Sequence, residues 1–246
     1  MRRRRAIWIA LAVIALAVML FALLHQPDEP QYQGRYLSEW VETHKNSFVV
    51  PSLASVVGFP RGEDRRAIEG LGTNALPYYL RWLRYDPQKW RIPLQKKLPR
   101  WIGNNRNVSD WLVETPRWRL NFAGQAFQVL GSNAVSAIPE LTAMMRDRRH
   151  PTTANAAINT LGFLGEPAIP VLQAALADTN QLHRWRIAST IGNMAIFGKH
   201  KNSCRPILIR ALMDPDPAVR QEARAALSNI DPLFLDPIFL PRPIPN

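Results

Sequence analysis

The side chains with the most chemical reach in this sequence are five histidines, one cysteine, eight tryptophans and an excess of lysine and arginine that gives a formal net charge of +12. Cys204 is the only cysteine, so neither an intramolecular disulfide nor a thiol relay with a resolving partner can form. His44 shares a helical face with Leu37, Trp40 and Val41, yet no His, Cys or acidic cluster stands at metal-ligand spacing from it. A ring packed at the edge of that face is the simpler expectation. The patterns H-E-x-x-H, paired C-x-x-C, Walker A, G-x-S-x-G and G-x-G-x-x-G are all absent from the sequence. The sequence therefore predicts no catalytic residue, no metal and no cofactor.

One stretch has an unusual composition. Across residues 81–119, Trp82, Trp90, Trp101, Trp111 and Trp118 are interleaved with ten Lys or Arg and only three acidic residues. Cations that neutralise phosphate, carboxylate or lipid headgroups, beside indoles that stack, are what a polyanion surface requires. Arg81, Arg84, Lys96, Lys97 and Arg100 are the candidate anion-binding residues on that reading. The same faces also carry Leu80, Leu83, Ile92, Leu94, Leu98, Ile102 and Leu112. Those residues favour the alternative, tryptophans that fill the core of a divergent repeat beneath a solvated basic surface.

The elements that must position these residues are helical. Strand alternation is scarce, and Ala, Leu, Arg and Gln recur at helical spacing, so the class is all-α. The pattern also repeats. Ala157-Ile158-Asn159-Thr160-Leu161-Gly162 with Ala168-Ile169-Pro170-Val171-Leu172 matches Ala126-Phe127-Gln128-Val129-Leu130-Gly131 with Ala137-Ile138-Pro139-Glu140-Leu141, at a shift of 31 residues. An earlier copy carries Gly72 and Pro77, a later one carries Gly192 and Pro206, and Val219 begins the first helix of a fifth. The Gly72 to Gly131 interval is 59 residues, about two periods, which predicts a degenerate unit between them. Alanine and leucine form the inward stripe of each first helix, and Gly72, Gly131, Gly162 and Gly192 end it in a left-handed or close-packed turn. Pro77, Pro139 and Pro170 open the second helix, where a missing N–H costs nothing. A pair of about 30 residues cannot hide its own apolar face, so the pairs must stack into a solenoid.

This pattern resembles bacterial HEAT repeats, over residues 63–231. Asp178 with Arg184, and Asp214 with Arg220, occupy places like that family's ladder, in which an arginine at a helix start meets an aspartate at the preceding turn. Asp147 has Thr153 at the equivalent spacing, so the ladder is incomplete, and residues 197–203 lengthen the fourth repeat. Tyr32-Gln33-Gly34-Arg35, Ser38-Glu39-Trp40 and Lys97-Leu98-Pro99-Arg100-Trp101 are similar to features of membrane-anchored HEAT-repeat proteins of Verrucomicrobia-like bacteria, a resemblance that implies no particular activity. Enzymes on related repeats demand residues that can be checked. The deoxyhypusine hydroxylase type needs His-Glu dyads, and here no histidine is followed by glutamate. Phycobilin lyases need a tetrapyrrole site that cannot be read here. Helical-repeat DNA glycosylases use Trp and Asp in a basic groove; Trp185 and Asp178 could mimic this, but a membrane anchor argues against genomic DNA.

That anchor is residues 6–24, 19 positions without a charge, preceded by four arginines at residues 2–5. A helix of that length spans about 28 Å, close to the hydrocarbon thickness of a bilayer. The long apolar run and the absence of a small-x-small exit favour an uncleaved signal anchor over a signal peptide. The arginines keep the amino terminus in the cytoplasm and send the rest across the membrane, into the periplasm if this is a Gram-negative inner membrane. Cleavage would make the protein secreted. Residues 25–35 then read as an extended linker, residues 36–231 as a solenoid of about five helical pairs, and the proline-rich residues 232–246 as a strap over its end or a peptide ligand for another protein. The functional expectation is a non-catalytic, membrane-tethered scaffold for an unidentified protein partner. A module for nucleic acid, acidic glycan or lipid headgroups is the alternative, with nucleic acid less favoured, and the oligomeric state is open.

Overall fold

The computed structural model describes residues 29–47, 62–84, 94, 97–99, 115–198 and 200–231. The helices among them are α1 Leu37–Ser47, α2 Glu63–Leu71, α3 Leu76–Leu83, α4 Thr115–Leu130, α5 Ile138–Met145, α6 Pro151–Phe163, α7 Ile169–Ala177, α8 Arg184–Ile196, α9 Lys201–Ala211 and α10 Pro217–Ile230. From α2 onward the even-numbered helices form one layer, α2 on α4, α4 on α6, α6 on α8 and α8 on α10. Each odd helix of the second layer packs against the even helix that follows it, α3 on α4, α5 on α6, α7 on α8 and α9 on α10. The result is an all-α stack of helical pairs. α1 covers its amino-terminal end, against α2 and α4.

The stripe read from the sequence is the seam of this stack. Ala67, Ile68, Ala126, Phe127, Ala157, Ile158, Ala188 and Ala223 are all 0% exposed. Small alanines let neighbouring even helices approach, while Leu141, Leu172 and Leu208, at equivalent places on the odd helices, are equally buried. Each such leucine contributes about 1.5–3 kcal/mol relative to its exposed state. Pro77, Pro139 and Pro170 lie in the first turns of α3, α5 and α7. Pro206 departs from this and sits inside α9, because the longer fourth repeat adds a turn ahead of it.

The glycines divide into two roles. Gly72 and Gly131, at φ +56° and +50°, turn the chain at the ends of α2 and α4. Gly162 and Gly192 instead lie within α6 and α8, which corrects the expectation that they end those helices. They are there for contact: a Cβ on Gly162 would come within 2.6 Å of Thr190 Cγ2, and one on Gly192 within 2.6 Å of Ala226 Cβ.

A further difference concerns the amino-terminal half. Part of the expected linker is folded: β1 Gln31–Tyr32 and β2 Arg35–Tyr36 pair antiparallel around Gln33 and Gly34, both at positive φ, as a two-residue hairpin turn requires. Tyr32 lies against Gly70 of α2 so closely that a Cβ there would be 2.0 Å from the ring. α2 and α3 both pack directly on α4. The degenerate unit expected in the 59-residue interval falls on residues 85–114, which lie almost wholly outside the described residues. Residues 6–24, the whole of 232–246 and the side chain of His44 lie outside the described residues. Among the described residues no helix is long and apolar enough to cross a membrane.

Candidate functional site

Helices α5, α7 and α9 each end in a loop that leads to the next even helix, so residues 146–150, 178–183 and 212–216 line up along one edge of the stack. The one ion pair between repeats that is buried, among the described residues, is on this edge. Arg184, at the start of α8, donates Nε and Nη2 to the carbonyl of Leu176 at 3.0 and 2.8 Å, and Nη1 to Asp214 Oδ1 at 3.0 Å. Its Nη2 also bonds Asp214 Oδ2, so the pair is bidentate, and the two side chains are only 8% and 9% exposed. Asp214 Oδ1 further accepts from the N–H of Asp216, which fixes the loop that starts α10. The rung therefore joins Arg184 to the aspartate of the following repeat. Asp178, the expected partner, accepts from the backbone of Asn180 at 2.9 Å and from no arginine among the described residues. Arg220 donates to the carbonyls of Asp214 and Pro215 at 2.7 and 2.8 Å and meets no carboxylate among the described residues.

One seam earlier, Thr153 stands where Arg184 would be, 31 residues back. It is 3% exposed, and its hydroxyl has no hydrogen-bond partner. Gln181 takes over part of the duty: its Nε2 donates at 3.1 Å to the carbonyl of Met145, the counterpart of Leu176. Arg148 donates to the carbonyl of Asn180 at 2.6 Å. Between these loops a cleft of about 170 Å³ stays open, lined by Arg146, Arg148, Asp178, Asn180, Gln181 and Leu182. Neither Gln181 nor the two arginines stood out in the sequence. The signal that could have found them was the break in the ladder at Thr153.

A bidentate rung thus joins α8 to the loop that starts α10. Residues 169–238 match the family model of HEAT repeats. No curated protein matches the chain. HEAT repeats generally serve as protein-interaction scaffolds. The match covers α7 to α10, where the rung is complete, and begins after Thr153.

The residues first singled out for anion binding fare differently. Trp82 is 6% exposed and forms part of an aromatic cluster between α3 and α4, with its ring centroid 6.1 Å from Tyr79 and 6.4 Å from Phe122. The Arg119 guanidinium lies 5.6 Å from the Trp82 centroid. Arg84 reaches Glu140 at 2.8 Å, tying the end of α3 to α5 through an exposed pair. Arg81 is exposed on α3 and Lys97 is also exposed, whereas Lys96, Arg100 and the intervening tryptophans lie outside the described residues. Of the five, Arg81, Arg84 and Lys97 are described, and Arg84 is engaged by Glu140.

Three clusters could have been mistaken for reactive centres. Glu166 bonds the hydroxyl of Ser203 and, at 2.9 Å, Nδ1 of His200. Serine and histidine thus both address one carboxylate, an inter-repeat clamp rather than a nucleophile and its base. His150 Nδ1 meets Asp147 at 2.7 Å, and that contact with the Arg149 backbone N–H holds the Asp147 carboxyl below its usual range. Cys204 is fully buried, and burial, then the nearby charge of Glu166, pushes its thiol up to about 11. Such a thiol is a core residue in its behaviour. Trp185, in the first turn of α8, is 37% exposed with the Arg186 guanidinium 4.8 Å from its ring centroid. Among the described residues no group of three or more His, Cys, Asp or Glu could hold a metal ion.

Proposed function

We propose that the chain is a non-catalytic scaffold, tethered to a membrane through residues 6–24, whose HEAT repeats bind a protein partner. What supports this most is the use made of the polar groups. The buried ion pair, the carboxylate clamp at Glu166 and the Arg84–Glu140 bridge all join one helical pair to the next. The chemistry is spent on holding an extended surface in register, as a binding platform requires. The charge pattern and apolar run at the amino terminus support a cytoplasmic end and an exported repeat domain, periplasmic in a Gram-negative inner membrane, or secreted if the segment is cleaved.

The test has two arms. Protease added outside spheroplasts should digest the repeats and leave a short membrane-retained stub; digestion only after lysis would refute the orientation. Crosslinking in native membranes followed by purification should return one defined protein in stoichiometric yield. Retention on heparin that is lost on charge reversal at Lys96, Lys97 and Arg100, with no protein captured, would replace the scaffold with polyanion binding.

A further inference from the structure

We infer that the cleft between residues 146–148 and 178–182 is the docking point for a carboxylate-bearing segment of the protein partner, with an adjacent apolar residue of that segment laid on Leu182 and Trp185. The inference deepens the scaffold reading and rests on it. It begins from the missing rung. At the Arg184 seam a guanidinium fills the space between a helix-end carbonyl and an aspartate. At the preceding seam threonine is too short to do so, Gln181 satisfies the carbonyl alone, and a cleft of about 170 Å³ remains. That is room for one short side chain, well below the volume of a typical cofactor site.

Charge then selects the occupant. Two arginines line the cleft against a single acid, Asp178, whose Oδ1 already accepts from Asn180 N. Arg146 is exposed and has no ion-pair partner among the described residues, while Arg148 spends one N–H on the Asn180 carbonyl and keeps the rest of its fork. Paired guanidinium groups at a shallow opening bind carboxylates in bidentate fashion. A purely electrostatic ligand would not account for the neighbouring apolar surface. Leu182, in the cleft lining, is 40% exposed, Trp185, three residues on in the first turn of α8, is 37% exposed, and on the next loop of the same edge Met213 is 71% exposed. Arginine, tryptophan and methionine are the residues enriched where proteins meet proteins. An acidic peptide with a hydrophobic neighbour matches both halves of the site.

The experiment uses the full chain in mild detergent and a fluorescein-labelled synthetic peptide in which Glu alternates with Leu and Phe. Saturable binding is expected, with Arg146→Glu weakening it about tenfold and Leu182→Ser several-fold, while Arg210→Glu on α9 leaves it unchanged. Both site residues are exposed, and unchanged melting by circular dichroism verifies that the variants fold. A peptide with Gln in place of Glu should not bind. Absence of saturation, or indifference to Arg146→Glu, overturns the inference. So does heparin binding more tightly than the peptide, or equal binding of a peptide of Glu alone, since either means a polyanion site. Crosslinking separates the two levels of the argument. A partner captured equally by wild type and by the Arg146→Glu, Leu182→Ser double variant sinks this docking point alone, and failure of the wild type to capture any protein sinks the scaffold reading.

Discussion

Arg184→Ala is expected to cost about 3–5 kcal/mol, the usual penalty for removing one member of a buried ion pair. The structure supports that scale. The side chain is almost fully enclosed, supplies two hydrogen bonds to Leu176 O and meets Asp214 through both ends of its fork. Its loss leaves the Asp214 carboxylate with one remaining bond, from Asp216 N, and leaves the Leu176 carbonyl without these donors at a helix end. In a chain of this size the thermal midpoint should fall by about 6–20 °C. Urea unfolding followed by far-ultraviolet circular dichroism measures the free energy, and a cycle with Asp214→Ala isolates the coupling, expected at about 1–3 kcal/mol. An apolar replacement of both members, Arg184→Met with Asp214→Leu, should recover most of the loss, because the single variant suffers chiefly from the charge it strands. A loss below about 1 kcal/mol, or strict additivity of the two alanine variants, would show that the pair is solvated and would refute the reasoning.

Gly192→Ala should destabilise by about 1–3 kcal/mol by forcing α8 and α10 apart, whereas Gly124→Ala in α4, where a Cβ meets nothing within 4 Å, should stabilise by about 0.5–1 kcal/mol through helix propensity. Equal signs in urea titrations would remove the close-contact explanation. Cys204 should resist iodoacetamide in the folded chain at about pH 8 and react once urea exposes it, since burial raises the thiol to about 11; mass spectrometry reads this directly, and rapid native labelling contradicts the burial. Thr153→Arg should install the absent rung to Asp178, raise the midpoint by about 2–4 °C and abolish acidic-peptide binding by filling the cleft. A lower midpoint would mean that the pocket around Thr153 cannot hold a guanidinium.

The stacked pairs were legible because their cause is local. Ala, Leu and Ile at helical spacing report which face is dry, and Pro139 and Pro170 report where a helix begins, without any knowledge of what lies opposite. The hairpin at Gln33 and Gly34 was missed because four paired residues make no alternating pattern. The placement of Gly162 and Gly192 was missed for another reason: a glycine that ends a helix and one that admits a neighbour's side chain look alike until the neighbour is known. The ladder presents the same ambiguity at longer range. An arginine at the first position of α8 stands beside its own preceding turn and beside the next repeat's turn. Sequence spacing favours Asp178, six residues away, over Asp214, thirty residues away. The side of α8 that faces α10 decides otherwise, and Arg184 crosses the seam. Each rung thus belongs to two repeats, and a substitution at one helix start changes the loop of the next. That is why the consequence of Thr153 appears at Asp178 and Gln181, where the cleft lies, rather than at Asp147, the residue that the spacing had paired with it.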